Sequence, residues 1–283
     1  KSNYSQFNLT SGGMDRMERL LDTESINSFA EVSLRAQSCP MPFNIDLWDG
    51  LRCSHRCMYC YADYFRHSLY TSFFDNSKEI GLRWCNDEHW RAELDKLMPH
   101  RGEIVAGESS VINAVRLGIP MRLGIRFDDF LPPERRVGVS LRLLKYLAAA
   151  KYPVMVNTKS AMIGEGEYAA ALAGNPARAA VHLTMISSDE DFLKRMEPGA
   201  PSFAQRVKAA ADLVKAGVRV VARIEPWMMF LTDEKSQVDE YIQAMKEAGV
   251  HHITFDSYSY SANSRGIAEN FYAQGWDFER MFL

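Results

Sequence analysis

The sequence has few cysteines, no long apolar run and no large excess of charge of either sign. Three of its five cysteines stand close together, which argues against a disulfide framework and for a reducing compartment. No apolar stretch is long enough to span a bilayer, so we expect no membrane association. The first residue is Lys1 and no charged-then-apolar leader follows it; we therefore expect a cytoplasmic protein.

The formal net charge of the 283 residues is −3. A chain of this charge exerts no general attraction on a phosphate backbone, so contact with duplex nucleic acid is expected to be weak or not to occur. Hydrophobic residues make up 47% and charged residues 24%, as in ordinary globular proteins. The length fits one α/β barrel.

Short apolar runs alternate with helical patterns along most of the chain, which is typical of βαβ units around a parallel sheet. The predicted strands are Phe43–Trp48, Pro120–Phe127, Val154–Thr158, Ala180–Met185, Val218–Ile224 and His252–Asp256. The predicted outer helices are Glu134–Ala150, Gly164–Ala173, Ser202–Ala216 and Asp233–Ala248. Six such units are too few for a closed eight-stranded barrel.

Three segments fall outside this alternation. Residues 1–42 are polar and predict an N-terminal cap, which leaves residues 43–260 as the barrel. Residues 61–117 predict two or more helices inserted after the first strand. Residues 261–283 are predicted to form an extension that closes the open barrel. This extension carries the aromatic residues Phe271, Tyr272, Trp276, Phe278 and Phe282.

Cys53, Cys57 and Cys60 form a CxxxCxxC motif. Three thiolates at this spacing can bind three irons of a [4Fe-4S] cluster and leave the fourth iron open for the amino and carboxylate groups of S-adenosylmethionine. Zinc is the alternative for a soft thiolate set. It normally takes a fourth ligand from a paired knuckle, whereas Cys39 and Cys85 stand alone.

The motif, with aromatic Tyr59 before its third cysteine, resembles that of the radical SAM superfamily. Further segments, over about two thirds of the chain, resemble the spore photoproduct lyase-like branch of that superfamily. They are Gly124–Glu134, Asn157–Ser160, Met196–Ser202, Arg206 and Ala216–Gly217. The resemblance implies an α/β fold with a partial (β/α)6 barrel of the TIM type, in agreement with the six predicted units. It also implies a [4Fe-4S] cluster and S-adenosyl-L-methionine as cofactors.

The implied activity is reductive cleavage of S-adenosylmethionine to a 5′-deoxyadenosyl radical, which abstracts hydrogen from a substrate in lyase or modification chemistry. The branch implies a nucleobase-type substrate, and the acidic balance of the chain suits a polar small molecule at least as well. An external electron donor of the flavodoxin or ferredoxin type would be needed. The alternative is a non-catalytic iron–sulfur or zinc protein that senses redox state or binds nucleic acid.

The resemblance also implies roles at the predicted strand ends, where functional groups of a parallel barrel gather. Lys159 would pair with the carboxylate of S-adenosylmethionine, the alternative being a surface lysine. Asp128, favoured over Asp129, would bind the amino group or ribose of the same cofactor. Thr184 is a candidate for a hydroxyl contact with the cofactor or the substrate. Tyr59 is assigned to cofactor binding and to catalysis.

Arg223 and Glu225 share one face of an otherwise apolar strand, where charges are costly unless they pair with each other or with a ligand. We predict that Arg223 binds cofactor and that Glu225 is catalytic. Asp256 and Tyr258, near the end of the last strand, are further catalytic candidates, with a hydrated polar lid as the alternative. The branch's lyase has a hydrogen-donor cysteine where this chain has Ile125, so repair of the spore photoproduct is not expected.

Two sets of polar residues near the motif have other predicted roles. Glu197 and Arg206 are expected to pair as a clamp between a loop and the next helix. The charges of Arg52, His55 and Arg56 either tune the cluster or bind an anion, or are simply solvated.

Overall fold

A computed structural model describes residues 33–34, 43–50, 53–60, 62, 82–125, 127–258 and 265–277. The strands are β1 Ser33–Leu34, β2 Phe43–Ile45, β3 Trp48–Asp49, β4 Arg83–Trp84, β5 Met121–Leu123, β6 Val154–Thr158, β7 Ala179–Thr184, β8 Arg219–Trp227 and β9 His252–Ser257. Seven of them form one sheet in the order β1-β2-β5-β6-β7-β8-β9. β1 is antiparallel to β2, and β2 and the strands that follow it in the sheet are parallel. β3 and β4 pair with each other.

The helices are α1 Asp87–Leu97, α2 Ser110–Arg116, α3 Glu134–Val137, α4 Val139–Ala149, α5 Gly166–Ala173, α6 Glu190–Met196, α7 Phe203–Lys215, α8 Lys235–Glu247 and α9 Arg265–Ala273. Helices α3 to α8 connect successive parallel strands, so the predicted partial (β/α)6 barrel is confirmed. α1 and α2 are the helices inserted after the first barrel strand. Within the described ranges, no helix has the length and apolarity needed to cross a membrane.

Local signals located some of the regular elements accurately. All five residues of β6 are buried, as expected of an apolar strand covered on both faces. Ser202 caps α7 and forms a capping box with Gln205, and Gly217 follows the helix with a φ of +84°. The predicted helix Glu134–Ala150 is instead divided into α3 and α4, because Gly138 between them adopts a left-handed φ of +67°.

The predicted first strand, Phe43–Trp48, ends earlier, at Ile45. One carboxylate oxygen of Asp129 accepts hydrogen bonds from the backbone N–H of Leu47 at 2.8 Å and of Trp48 at 3.2 Å. These two N–H groups therefore bind a side chain instead of a neighbouring strand.

The predicted second strand, Pro120–Phe127, also ends early, at Leu123. Gly124 has a φ of +80°, and a Cβ atom there would lie 2.0 Å from the carbonyl oxygen of Asn157. The backbone turns at this glycine because it passes so close to β6. Asp128 consequently lies in the loop after β5 and not at the end of a strand, as the pattern had indicated.

The chain ends are only partly described. Of the cap predicted for residues 1–42, only β1 lies within the described residues. Near the C-terminus, Phe271 is fully buried, and Trp276 lies 5.6 Å from the Phe192 ring centroid. Phe278 and Phe282 lie outside the described residues, and closure of the barrel by this extension stays a prediction.

Candidate metal centre

The three motif cysteines lie in the loop 53–60, which follows β3. All three are half-buried thiols. The backbone N–H of Arg56 donates to the carbonyl of Cys53, and that of Cys60 donates to the carbonyl of Cys57, both at 3.2 Å. Two successive tight turns therefore make the cysteine loop compact.

The cysteine loop is docked against residues 196–200, which we call the clamp segment. The N–H of Met58 donates to the first carbonyl of this segment at 2.9 Å, and the N–H of Gly199 donates to the carbonyl of His55 at 3.1 Å. The ring atom Nδ1 of His55 lies 3.3 Å from the carbonyl oxygen of Gly199. A Cβ atom on Gly199 would meet the carbonyl oxygen of Ser54 at 1.9 Å, so only glycine permits this approach.

A buried carboxylate anchors the same loop to the barrel. Nε2 of His55 lies 2.9 Å from Oδ2 of Asp128, and the N–H of Lys159 donates to the same oxygen. Oδ1 of Asp128 accepts from the Thr158 hydroxyl and from the N–H of Phe130. Burial alone would raise the pKa of Asp128, but His55 and the backbone N–H groups of Lys159 and Phe130 together outweigh it and lower that pKa to about 2. Asp128 thus has protein partners on both oxygens, and its predicted contact with S-adenosylmethionine stays a prediction.

A buried polar network lies beneath the loop. Oε2 of Glu197 accepts from Arg206 at 2.5 Å, and Oε1 accepts a short hydrogen bond from the Tyr59 hydroxyl. The other N–H groups of Arg206 donate to the carbonyls of Thr184 and Pro201, at 2.9 and 2.8 Å. The predicted pairing of Glu197 with Arg206 is therefore confirmed. Burial raises the pKa of Glu197, but the charges of Arg206 and Lys159 and the hydrogen bonds from Tyr59 and Arg206 outweigh it and lower that pKa below its ordinary value, so the carboxylate is ionised.

Lys159 reaches into this network. Its Nζ lies 3.9 Å from Oε1 of Glu197 and 5.4 Å from the ring centroid of Tyr59, and its side chain is 16% exposed. Burial would lower the pKa of Lys159, but the negative charges of Cys57 and Glu197 raise it. Burial raises the pKa of the Cys57 thiol, and the charge of Lys159 opposes that effect. Lys159 is therefore a buried cation beside the cysteine loop, not a surface lysine.

The remaining predicted residues lie further round the sheet. Thr184 ends β7 and is buried, next to Arg223 in the β7–β8 register. Arg223 and Glu225 form an ion pair with each other on β8. Asp256 is exposed on β9, and the N–H of Tyr258 donates to the backbone of β8. The structure thus brings Tyr59, Asp128, Lys159 and Thr184 together. It places the other four candidates on β8, on β9 and directly after β9.

Sequence reasoning missed the structural roles of His55 and Gly199. His55 was one of three loop charges with no assigned partner, and it proves to be buried between Asp128 and the clamp segment. The sequence pointed to Gly199 only through its place in the Met196–Ser202 segment, where Pro198 and Gly199 follow Glu197.

Comparison with known proteins gives matches of structure only. No family model and no curated protein matches the sequence. A spore photoproduct lyase variant with bound AdoMet and dinucleoside spore photoproduct matches at a TM-score of 0.58 and 16% identity, over 90% of this chain and 66% of that one. Streptococcus suis SuiB bound to S-adenosylmethionine matches at a TM-score of 0.50 and 14% identity, over 80% of this chain and 42% of that one. The chain has the fold of spore photoproduct lyase.

The resemblance to the spore photoproduct lyase-like branch seen in the motifs is therefore confirmed at the level of the fold. The chain spans just under two thirds of the length of the lyase structures, at 66% and 65%.

The residues of the cysteine loop fit an iron–sulfur cluster. The three thiols form a soft donor set of the kind such clusters use. Ser54, between the first two cysteines, has a buried hydroxyl with no hydrogen-bond partner among the described residues. A cluster sulfur would give this hydroxyl an acceptor. In the described part of the chain, no group of three or more His, Cys, Asp or Glu residues is arranged to hold a single metal ion. The cysteines of a cluster bind different irons, so that finding concerns mononuclear sites.

Proposed function

We propose that this protein is a radical SAM enzyme. The observation that carries the proposal is the cysteine loop itself, in which three thiols are held by the clamp segment on one side and by Asp128 on the other. Hydrogen bonds within the protein hold the loop in this arrangement. The loop meets the segments that follow β5, β6 and β7, which is the end of a parallel barrel where active sites form.

In this proposal Cys53, Cys57 and Cys60 bind three irons of a [4Fe-4S] cluster. When bound, the cluster and S-adenosylmethionine supply a 5′-deoxyadenosyl radical for hydrogen abstraction, with the electron coming from a flavodoxin or ferredoxin. The protein orients the cofactor and excludes water from it. We assign this binding role to five residues at the barrel mouth: Tyr59, Asp128, Lys159, Thr184 and Arg223.

The proposed substrate is a nucleobase-type or polar small molecule. The dinucleoside bound to spore photoproduct lyase supports a nucleobase-type substrate. The carboxylates predicted at the barrel mouth, those of Asp128, Glu225 and Asp256, support a polar small molecule. Candidate substrate-side groups are Tyr59, Glu225, Asp256 and Tyr258. Because Ile125 has no thiol to donate a hydrogen atom, we infer lyase or modification chemistry other than repair of the spore photoproduct.

The second candidate is a cysteine-cluster protein that senses redox state or binds nucleic acid without catalysis. Such a protein has no need of a buried cation beside its thiolates. Lys159 therefore favours the enzyme.

The test is anaerobic reconstitution followed by an assay for 5′-deoxyadenosine with dithionite. We expect about four irons and four sulfides per chain, and product from the wild type. The triple variant Cys53→Ala/Cys57→Ala/Cys60→Ala should lose both. Cys85→Ala is the matched control, because Cys85 is a buried cysteine outside the loop. Cleavage of S-adenosylmethionine by the triple variant would contradict the proposal, and a loaded cluster without cleavage would favour the second candidate.

A further inference from the structure

We propose that Lys159 acts on the cluster itself: its ammonium group interacts with the cluster's thiolates and favours the reduced state before S-adenosylmethionine binds. This role differs from the contact with the cofactor's carboxylate. The inference rests on the proposed function, because it requires a cluster in the cysteine loop. It makes Lys159 a residue that tunes the reduction potential.

The charges of the buried network leave Lys159 uncompensated. Arg206 neutralises Glu197 through a 2.5 Å contact, and its Nε and Nη1 atoms donate to two backbone carbonyls. Tyr59 is a neutral donor to the same carboxylate. The network therefore carries one net positive charge, and that charge is the ammonium of Lys159.

The ammonium has no hydrogen-bond acceptor among the described residues. Its contact with Glu197 is 3.9 Å long, beyond hydrogen-bonding distance. An ammonium group carries three donors, and Nζ lies 5.4 Å from the ring centroid of Tyr59, which stands between Cys57 and Cys60 in the sequence. A cluster on these cysteines would supply acceptors for the ammonium.

One carboxylate fixes the backbone of Lys159 relative to the loop. Oδ2 of Asp128 accepts from the backbone N–H of Lys159 at 2.9 Å and lies 2.9 Å from Nε2 of His55, inside the cysteine loop. The lysine and the loop are thus attached to the same oxygen atom. A cation held at a fixed distance from a redox centre shifts its potential without having to reorganise.

The direction of the shift follows from charge. A cluster gains one negative charge on reduction, so a neighbouring cation stabilises the reduced form more than the oxidised form. Removing the cation should lower the ratio of reduced to oxidised cluster at a fixed potential by at least tenfold. For a one-electron couple this corresponds to a shift of about 59 mV to more negative potential.

The experiment is a redox titration of reconstituted protein, monitored by electron paramagnetic resonance, in the absence of S-adenosylmethionine. Lys159→Met should have the more negative midpoint potential, and Lys159→Arg should restore most of the difference. Lys159→Gln is a second neutral variant in case the methionine variant takes up little cluster. Lys145→Met is the matched control, because Lys145 pairs with Glu167 on the exposed outer helices and should not affect the potential.

The outcomes separate this inference from the proposed function. A wild-type midpoint potential in both neutral variants, with weakened binding of S-adenosylmethionine, would restrict Lys159 to the cofactor and overturn the inference alone. A wild-type protein that takes up no cluster would overturn the proposed function and this inference with it. A negative shift in the neutral variants with recovery in Lys159→Arg would support the inference.

Discussion

Gly199→Ala tests the contact that shapes the cysteine loop. The added methyl group would lie 1.9 Å from the carbonyl oxygen of Ser54 and 3.2 Å from the Cα atom of His55. Real Cβ atoms stay at least 3.0 Å from such atoms, so the loop and the clamp segment must separate by about 1 Å. Gly199 does not have a left-handed φ, and the effect of alanine is therefore steric.

The separation acts on contacts that the structure shows. The clamp segment makes two backbone hydrogen bonds with the loop, at 2.9 and 3.1 Å, and a third contact with the His55 ring at 3.3 Å. Each such bond contributes about 1 kcal/mol, and overpacking a tight site costs about 1–3 kcal/mol. We expect the free energy of unfolding to fall by about 1–3 kcal/mol and cluster uptake to fall with it, because the loop is displaced.

The assay combines iron and sulfide content after anaerobic reconstitution with unfolding in urea. Gly174→Ala is the matched control: it adds the same methyl group at a glycine with a φ of −77°, where the nearest atom is a carbonyl oxygen of its own helix at 3.1 Å. The control should load a full cluster. Full loading and wild-type cleavage of S-adenosylmethionine in Gly199→Ala would refute the claim that this approach positions the loop.

Two further predictions concern buried charges. Burial raises the pKa of Glu134 from 4.5 to about 7, so the folded state binds more protons than the unfolded state between these values, and stability should fall by about 3 kcal/mol as pH rises through this window. Glu134→Gln should flatten that slope in urea unfolding measured from pH 4.5 to 8, and equal slopes in both proteins would show the assignment to be wrong. Arg206→Met should destabilise the protein by about 3–5 kcal/mol, because it leaves the carboxylate of Glu197 buried and unpaired. The double variant Arg206→Met/Glu197→Leu should recover part of this loss, and additive losses would contradict the pairing.

The fold could be predicted from the sequence to the extent that local signals determine it. Alternation of apolar runs and helical patterns located the six parallel strands, and the capping box at Ser202 and the glycine after α7 fixed the ends of one helix. The errors occurred where a distant group changes the backbone. Asp129 binds the N–H groups of Leu47 and Trp48, 82 and 81 residues away, and this long-range contact leaves no pattern in the strand.

In the candidate site, too, local patterns could be predicted and long-range contacts could not. The cysteines could be recognised because their spacing is local, and Lys159 because it follows a clear strand. His55 could not be assigned, because its two partners lie 73 and 144 residues away in the sequence. Whether a charged loop residue is solvated or buried depends on tertiary contacts that residue type and spacing do not encode.

The geometry around Asp128 changes how the strand-end acid should be interpreted. Position alone assigned it to the cofactor, but its oxygens already accept from the Thr158 hydroxyl and two backbone N–H groups and contact His55. Removing this carboxylate would release the cysteine loop and the backbone of Lys159 together, since both are attached to it. Loss of S-adenosylmethionine binding in an Asp128 variant would therefore not identify a direct contact. Only a variant at Lys159, whose side chain can be changed while its backbone hydrogen bond is kept, separates the positioning of the loop from the action of a charge on the cluster.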